Sequence, residues 1–206
     1  MFHLVKPALL FFSLVFVTTE GIAQRSIQYN GEDEVKIGFQ TLSYLAASDS
    51  IESLSLAKSL YNQGSFVINE KPDLNLGIAS DNYWVTFTVF NSSATNEEVY
   101  INLENPRLNE VDVFILKHDS LTQSLRLGDN FPFQDRAVQY AEFAFPIHLN
   151  PKDSLSVFLF VKHRGNTLQM PVRLLSRSKF LEHVESNYLY AGIVTGIFLI
   201  DRKSVV

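Results

Sequence analysis

Alternation of apolar and polar positions dominates the middle of the chain. Residues Tyr83–Asn91 read YWVTFTVFN, with Tyr83, Val85, Phe87 and Val89 on one face and Trp84, Thr86 and Thr88 on the other. A period of two, carried by β-branched and aromatic residues, predicts a strand buried on at least one side. The same pattern returns at Glu98–Glu104, Glu110–Lys117, Gln139–Leu149, Ser154–His163 and Leu168–Leu175, with Leu121–Leu127 as a further candidate. Turn chemistry separates these runs: Asn91-Ser92-Ser93, Asn105-Pro106-Arg107, His118-Asp119-Ser120, Asn150-Pro151-Lys152-Asp153 and Arg164-Gly165-Asn166. Proline at its second position favours a type I turn at Asn150–Asp153. Many short strands and few helices predict a mainly β fold, an antiparallel jelly-roll-like β-sandwich.

The lead-in is less regular. Val35–Leu45 is expected to hold a strand, and Asp49/Ser50 to cap a short helix over IESLSLAKSL. Gly64–Ile68 and Leu74–Ile78 are short strand candidates around the Lys71-Pro72-Asp73 turn. Glu32-Asp33-Glu34 matches no calcium-ligand spacing and reads as a solvated acidic face.

Both ends have a different texture. Lys6 precedes the ten-residue apolar run Ala8–Val17, and Gly21-Ile22-Ala23 places small residues at the first and third positions of a cleavage site. Residues 1–23 are therefore expected to be a signal peptide, since the run falls well short of the roughly 20 residues that span a bilayer. Residues 24–176 would form the exported domain. Ser176–Asn187 is polar, and Tyr188–Ile200 is an uncharged run of 13 residues opened by two tyrosines at Tyr188 and Tyr190. Residues 177–200 are expected to be a linker and the start of a first transmembrane helix. The final residues, Asp201 to Val206, back-translate to GATCGGAAGAGCGTCGTG, the form of a sequencing adaptor. The expectation there is an artefactual tail, with the true chain continuing.

Parity assigns faces. Val85/Phe87/Val89, Val99/Ile101/Leu103, Val111/Val113/Ile115 and Phe143/Phe145/Ile147/Leu149 form apolar rows suited to an inter-sheet core. The opposite parity collects Trp84, Thr86, Thr88, Tyr100, Asn102, Glu104, Asp112, Phe114, Glu142 and His148. Rings mixed with amides and carboxylates suit a sugar, whose C–H faces lie on rings while its hydroxyls bond polar groups. The candidate ligand-binding residues are Trp84, Tyr100, Asn102, Glu104 and Phe114, joined by Arg107 and Arg136, which follow proline-containing loops and suit an anion. The competing reading packs Trp84 beneath a loop with its N–H satisfied. It leaves the two arginines to cap carbonyls or pair with Asp129 and Asp135.

Composition narrows the options. The chain has 206 residues, with 17 Phe and 8 Tyr, enough for a sizeable core without cross-links. The absence of cysteine excludes disulfides and thiolate zinc sites. A net charge of −5 without a basic stripe argues against nucleic acid. The histidines (3, 118, 148, 163 and 183) are scattered, without metal-ligand spacing. No GxSxG and no phosphate-cradling glycine loop occurs. Asp129/Asp135 and Glu104/Glu142 read as loop acids and rim charges rather than a glycosidase pair. No catalytic residue, metal site or cofactor is expected.

One ordered series of motifs goes further. Leu76-Gly77 and Tyr83–Phe87 precede Asn91; Asn105-Pro106-Arg107-Leu108 leads into Val111-Asp112-Val113; Gly128-Asp129, Phe131-Pro132-Phe133 and Arg136 precede Phe145-Pro146-Ile147 and Val157–Arg164. Over about residues 35–175 this resembles the second class of extracellular domain found in bacterial seven-transmembrane receptors with diverse intracellular signalling modules. The resemblance implies a jelly-roll-like sensor outside the cytoplasmic membrane, on its periplasmic side, binding a carbohydrate or small molecule. It also implies a seven-helix bundle and an output module, such as a histidine kinase or nucleotide cyclase, and it supplies no catalytic residues. The expected partners are that ligand and the membrane, with no nucleic acid; a homo-oligomer is compatible. Two rivals stay open: a carbohydrate-binding module of an exported hydrolase, and a structural interaction domain.

Overall fold

The computed structural model describes residues 25–47, 51–79, 81–163 and 165–203. The expected signal peptide lies outside them. The described residues form thirteen strands and two α-helices: β1 (Ile27–Tyr29), β2 (Glu34–Ile37), β3 (Leu42–Ala47), α1 (Leu54–Asn62), β4 (Val67–Ile68), β5 (Leu74–Ile78), β6 (Asn82–Asn91), β7 (Glu97–Leu103), β8 (Glu110–Lys117), β9 (Ser120–Leu127), β10 (Phe143–Leu149), β11 (Ser154–Lys162), β12 (Thr167–Met170), β13 (Val172–Ser176) and α2 (Arg177–Lys203). The fold is mainly β, as the alternation predicts.

Two sheets face each other. One runs β4-β3-β6-β11-β8-β9, with β1 added beside β6; the other runs β10-β7-β13-β2; β12 and β5 form a separate ribbon. From β6 to β8, and again from β9 through β11 to β13, the chain passes back and forth between the two sheets, the jelly-roll-like habit. The apolar rows assigned by parity on β6, β7, β8 and β10 all enter the inter-sheet core, joined by Val157, Leu159 and Val161 of β11 and Val172 and Leu174 of β13. Side-chain alternation leaves no other choice once one face of each sheet must be dry.

The sheets are antiparallel, as expected, except where β1 pairs parallel with β6 at Ile27↔Val89 through Tyr29↔Asn91. It occupies the stretch of β6 that β3, ending its pairing at Phe87, leaves free. Several local expectations are corrected. Val35–Leu45 is two strands in different sheets, broken by a turn at Gly38, where an added Cβ would lie 1.9 Å from the Pro72 carbonyl oxygen. The helix starts later than expected, because its cap is Ser53, whose Oγ accepts from the Leu56 N–H at 3.3 Å. Leu168–Leu175 divides at Pro171: β12 pairs with β5, and β13 lies between β7 and β2. Proline has no N–H for a ladder, so it sits where the chain changes sheets. Lys152 has φ +56°, the type II sign rather than type I. The stretch after Ser176, expected to begin as a linker, is the opening of α2, which follows β13 directly.

Each outer face of the sandwich receives a helix. On the larger sheet, α1 covers a cluster of Trp84, Phe158, Phe160, Leu116, Ala47 and Ala57. On the smaller sheet, α2 inserts Phe180 among Tyr140, Ala144 and Leu175. Further along α2, Tyr188, Leu189, Tyr190, Ile193, Ile197, Phe198 and Leu199 are exposed. Among the described residues no helix is long and apolar enough to cross a membrane.

Candidate functional site

The site builds from loops at one end of the sandwich. Strand β7 ends at Leu103, and β13 begins opposite it at Val172. Beyond these ends, Glu104 donates its backbone N–H to the Pro171 carbonyl at 2.9 Å. Asn105 shapes the next turn: its Oδ1 accepts from the Arg107 N–H at 3.0 Å, and its Nδ2 donates to the Gln169 carbonyl at 2.6 Å. That second bond joins the β7–β8 loop to the β12 ribbon. Between them and the β11–β12 turn opens a cavity of about 540 Å³, lined by Glu104, Asn105, Arg107, His163, Asn166, Thr167, Gln169 and Pro171. The volume falls in the range of small-molecule sites.

Its polar groups are unequally engaged. His163 is 1 % exposed, yet neither ring nitrogen has a hydrogen-bond partner among the described residues. Buried polar atoms are nearly always paired, so an imidazole lining a cavity with both nitrogens idle is unusual. Glu104 meets Arg173 at 3.2 Å, and Arg173 also reaches Asp73 at 3.0 Å and Glu34 at 3.5 Å. Burial pushes the Glu104 carboxyl above its ordinary range, against the opposing pull of Arg173 and reinforced by Glu142. Arg107 has no carboxylate within 4.0 Å among the described residues, and its side chain is exposed at the cavity wall.

The residues singled out by parity do not form one face. Trp84 and Phe114 lie outside the larger sheet, whereas Tyr100, Asn102 and Glu104 lie outside the smaller one. Trp84 is fully buried; its indole N–H donates to the Ile51 carbonyl at 2.8 Å, and its ring stacks on Phe160 at 4.8 Å. The alternative reading of Trp84, packed beneath a loop, describes this geometry. Phe114 sits beside it at 5.8 Å. Tyr100 stacks on Phe180 of α2 at 4.3 Å, and Asn102 donates to Glu142 at 2.7 Å. Arg136 lies over Phe143 at 4.6 Å and donates to the Tyr140 and Ala141 carbonyls at 2.6 and 3.0 Å, capping carbonyls as its second reading has it. Only Glu104 and Arg107 of the set line the cavity.

Sequence reasoning missed His163, Asn166, Thr167 and Gln169. The available signal was Pro171. A proline inside an apparent strand marks a change of partner, and exposed Thr167 and Gln169 alternate with buried Leu168 and Met170 just before it. Among the described residues no group of three or more acidic or histidine side chains is placed to hold a metal.

The described residues thus form a two-sheet β-sandwich with a polar cavity at one end. The profile of the 7TMR-DISM extracellular 2 family matches residues 40–176, more than half of the chain, and the chain belongs to that family. No curated protein matches it. Solved structures to which the chain shows similarity include a family 35 carbohydrate-binding module from Clostridium thermocellum, 9 % identical, covering 70 % of this chain and 99 % of that one at a TM-score of 0.34. A family 35 module from an environmental isolate is 11 % identical, over 68 % and 88 % of the two chains at a TM-score of 0.29. An exo-β-1,3-galactanase from Phanerochaete chrysosporium is 14 % identical, over 73 % of this chain and 29 % of its own at a TM-score of 0.29.

Proposed function

We propose that the chain is the ligand-sensing, outward-facing domain of a multi-pass membrane signalling receptor, non-enzymatic in itself, and that its ligand site is the cavity at the β7/β13 end of the sandwich. The ligand is a carbohydrate or another small polar molecule. Membership of an extracellular receptor-domain family supports the class of function. The observation that carries the site is His163, a buried imidazole lining a cavity with both nitrogens unpartnered. Leaving such a group unsatisfied costs about 1–3 kcal/mol, which a bound hydroxyl or carboxyl would recover.

The route from site to output follows the same two strands. β13 runs from Pro171 at the cavity to Ser176, where α2 begins, a span of about 17 Å. Ser176 is held from outside the helix: its N–H donates to the Asp33 carbonyl at 2.8 Å and its Oγ to Asp33 Oδ1 at 3.0 Å. β7 runs beside β13 from Glu104 to Tyr100, whose ring is stacked on Phe180 of α2. A ligand that favours one arrangement of the cavity loops would bias the seat of α2, provided its affinity differs between the two arrangements. From there the signal would pass to the membrane-embedded part of the receptor, with this domain on the periplasmic side.

Thermal-shift screening of the full chain against neutral sugars, sugar acids and amino acids tests this. A ligand at a hundredfold its Kd stabilises by about 2.7 kcal/mol, an easily resolved rise in Tm. The expected result is a hit whose shift disappears in Asn166→Ala and Gln169→Ala. A hit untouched by both substitutions would relocate the site, and a silent panel would count against sensing of small polar molecules.

A further inference from the structure

The charged side chains at the cavity are unequally paired, and this points to a ligand class; this step rests on the sensor reading above. Among the described residues two charged side chains line the cavity. Glu104 meets Arg173 at 3.2 Å, a guanidinium it shares with Asp73 and Glu34. Arg107 is not matched: its loop is fixed through its backbone N–H on Asn105 Oδ1 at 3.0 Å, while its guanidinium meets no carboxylate among the described residues. Among the described lining residues, Arg107 is thus the charged side chain without an ion-pair partner, a cation in a chain whose net charge is −5.

The remaining lining is neutral and hydrogen-bonding. His163, Asn166, Thr167 and Gln169 offer both donors and acceptors, the pairing that a hydroxyl, itself donor and acceptor, requires. Among the described lining residues there is no Phe, Tyr or Trp to present a ring face for stacking on a sugar. The rings that parity suggested for that purpose are engaged with Phe160 and Phe180.

We propose that the cavity binds a small polyhydroxylated carboxylic acid, a sugar acid, with its carboxylate on the Arg107 guanidinium and its hydroxyls on His163, Asn166, Thr167 and Gln169. The planar guanidinium fork fits a carboxylate through two parallel N–H···O bonds, which a lysine cannot reproduce. A simple inorganic anion would satisfy Arg107 and leave the hydroxyl-bonding wall idle. A neutral sugar would do the reverse.

Isothermal titration of the full chain with galacturonate and gluconate, against galactose, glucose and inorganic phosphate, decides between these. The expected result is that the acids bind at least about tenfold tighter than the neutral sugars, roughly 1.4 kcal/mol. Arg107→Gln then erases the difference, Arg107→Lys restores it in part, and His163→Gln weakens acid and neutral sugar together. Arg107 is exposed, so its substitution leaves the fold intact, which circular dichroism checks. Equal affinity for neutral sugars, with Gln169→Ala still abolishing binding, overturns the ligand class and leaves the sensor reading standing. Phosphate binding as tightly as the acids also overturns it, reducing the site to an anion hole. If none of these probes binds while another compound gives a cavity-dependent thermal shift, the sugar-acid inference alone falls. If no compound does so, both fall together.

Discussion

Trp84 anchors the seat of α1. It is the chain's one tryptophan, fully buried, hydrogen-bonded to Ile51 and stacked on Phe160. Trp84→Ala is expected to destabilise by about 3–5 kcal/mol in urea denaturation, through the cavity it leaves. The same burial makes Trp84 a silent bystander to ligand: its emission should be blue-shifted and unchanged on filling the cavity. Emission that moves with ligand would place binding on the α1 side. Two phenols give a second test. Burial, with acidic neighbours Glu97 and Glu142 next in importance, pushes Tyr29 and Tyr140 up to about 12. The folded chain keeps these protons where the unfolded chain releases them near the ordinary value of 10. Their stabilising contribution is thus whole below pH 10 and lost as pH rises toward about 12. Tm should fall across that window, less steeply in Tyr140→Phe; an identical slope in that variant would contradict the assignment. At this scale the sequence disclosed side-chain direction but not partners. Trp84 and Tyr100 share a parity with polar neighbours whether they meet a ligand or a helix, and only the packing of Ile51 and Phe180 separates the two cases.

Among the elements, the long strands β6, β7, β8, β10 and β11 are legible because each sends alternate apolar side chains into the inter-sheet core. β8 fills the expected Glu110–Lys117, and its hairpin to β9 turns through His118 and Asp119 at φ +46° and +65°, the left-handed pair of a type I′ loop. Short elements were not legible. β1 has three residues, too few for a period, and owes its existence to the free edge of β6. Pro171 was visible, but a break in a strand does not say which sheet each half joins. Only the first turns of α2 read as a polar linker in the sequence, because they carry Arg177, Lys179, Glu182 and Glu185. Phe180 on its inner side is what makes it a docked helix. Phe180→Ala should therefore speed hydrogen exchange of amides in residues 177–187 while those of β6 and β11 stay protected. Uniform loosening of both sheets would show that α2 is part of the cooperative core instead.

At the scale of the molecule, the described residues form a sandwich with three apolar layers: one between the sheets and one beneath each helix. A single sequence fixes parity along each strand, so the inner layer was readable. It does not say that a two-sheet body has two outer faces, which is why Trp84 and Phe114 separated from Tyr100, Asn102 and Glu104. The cavity escaped for a related reason. It is assembled from the β7–β8 and β11–β12 loops and the β12 ribbon, with Glu104 and His163 far apart in sequence, and loop proximity has no period to detect. The same end of the molecule joins, through β7 and β13, to the seat of α2, so the proposed function gives one body both a site and a lever. Hydrogen exchange of the full chain with and without galacturonate measures both at once. The account predicts slower exchange in residues 104–109 and 165–171 together with altered exchange at the start of α2. Protection confined to α1 and the strands beneath it, with the cavity loops unchanged, would contradict it.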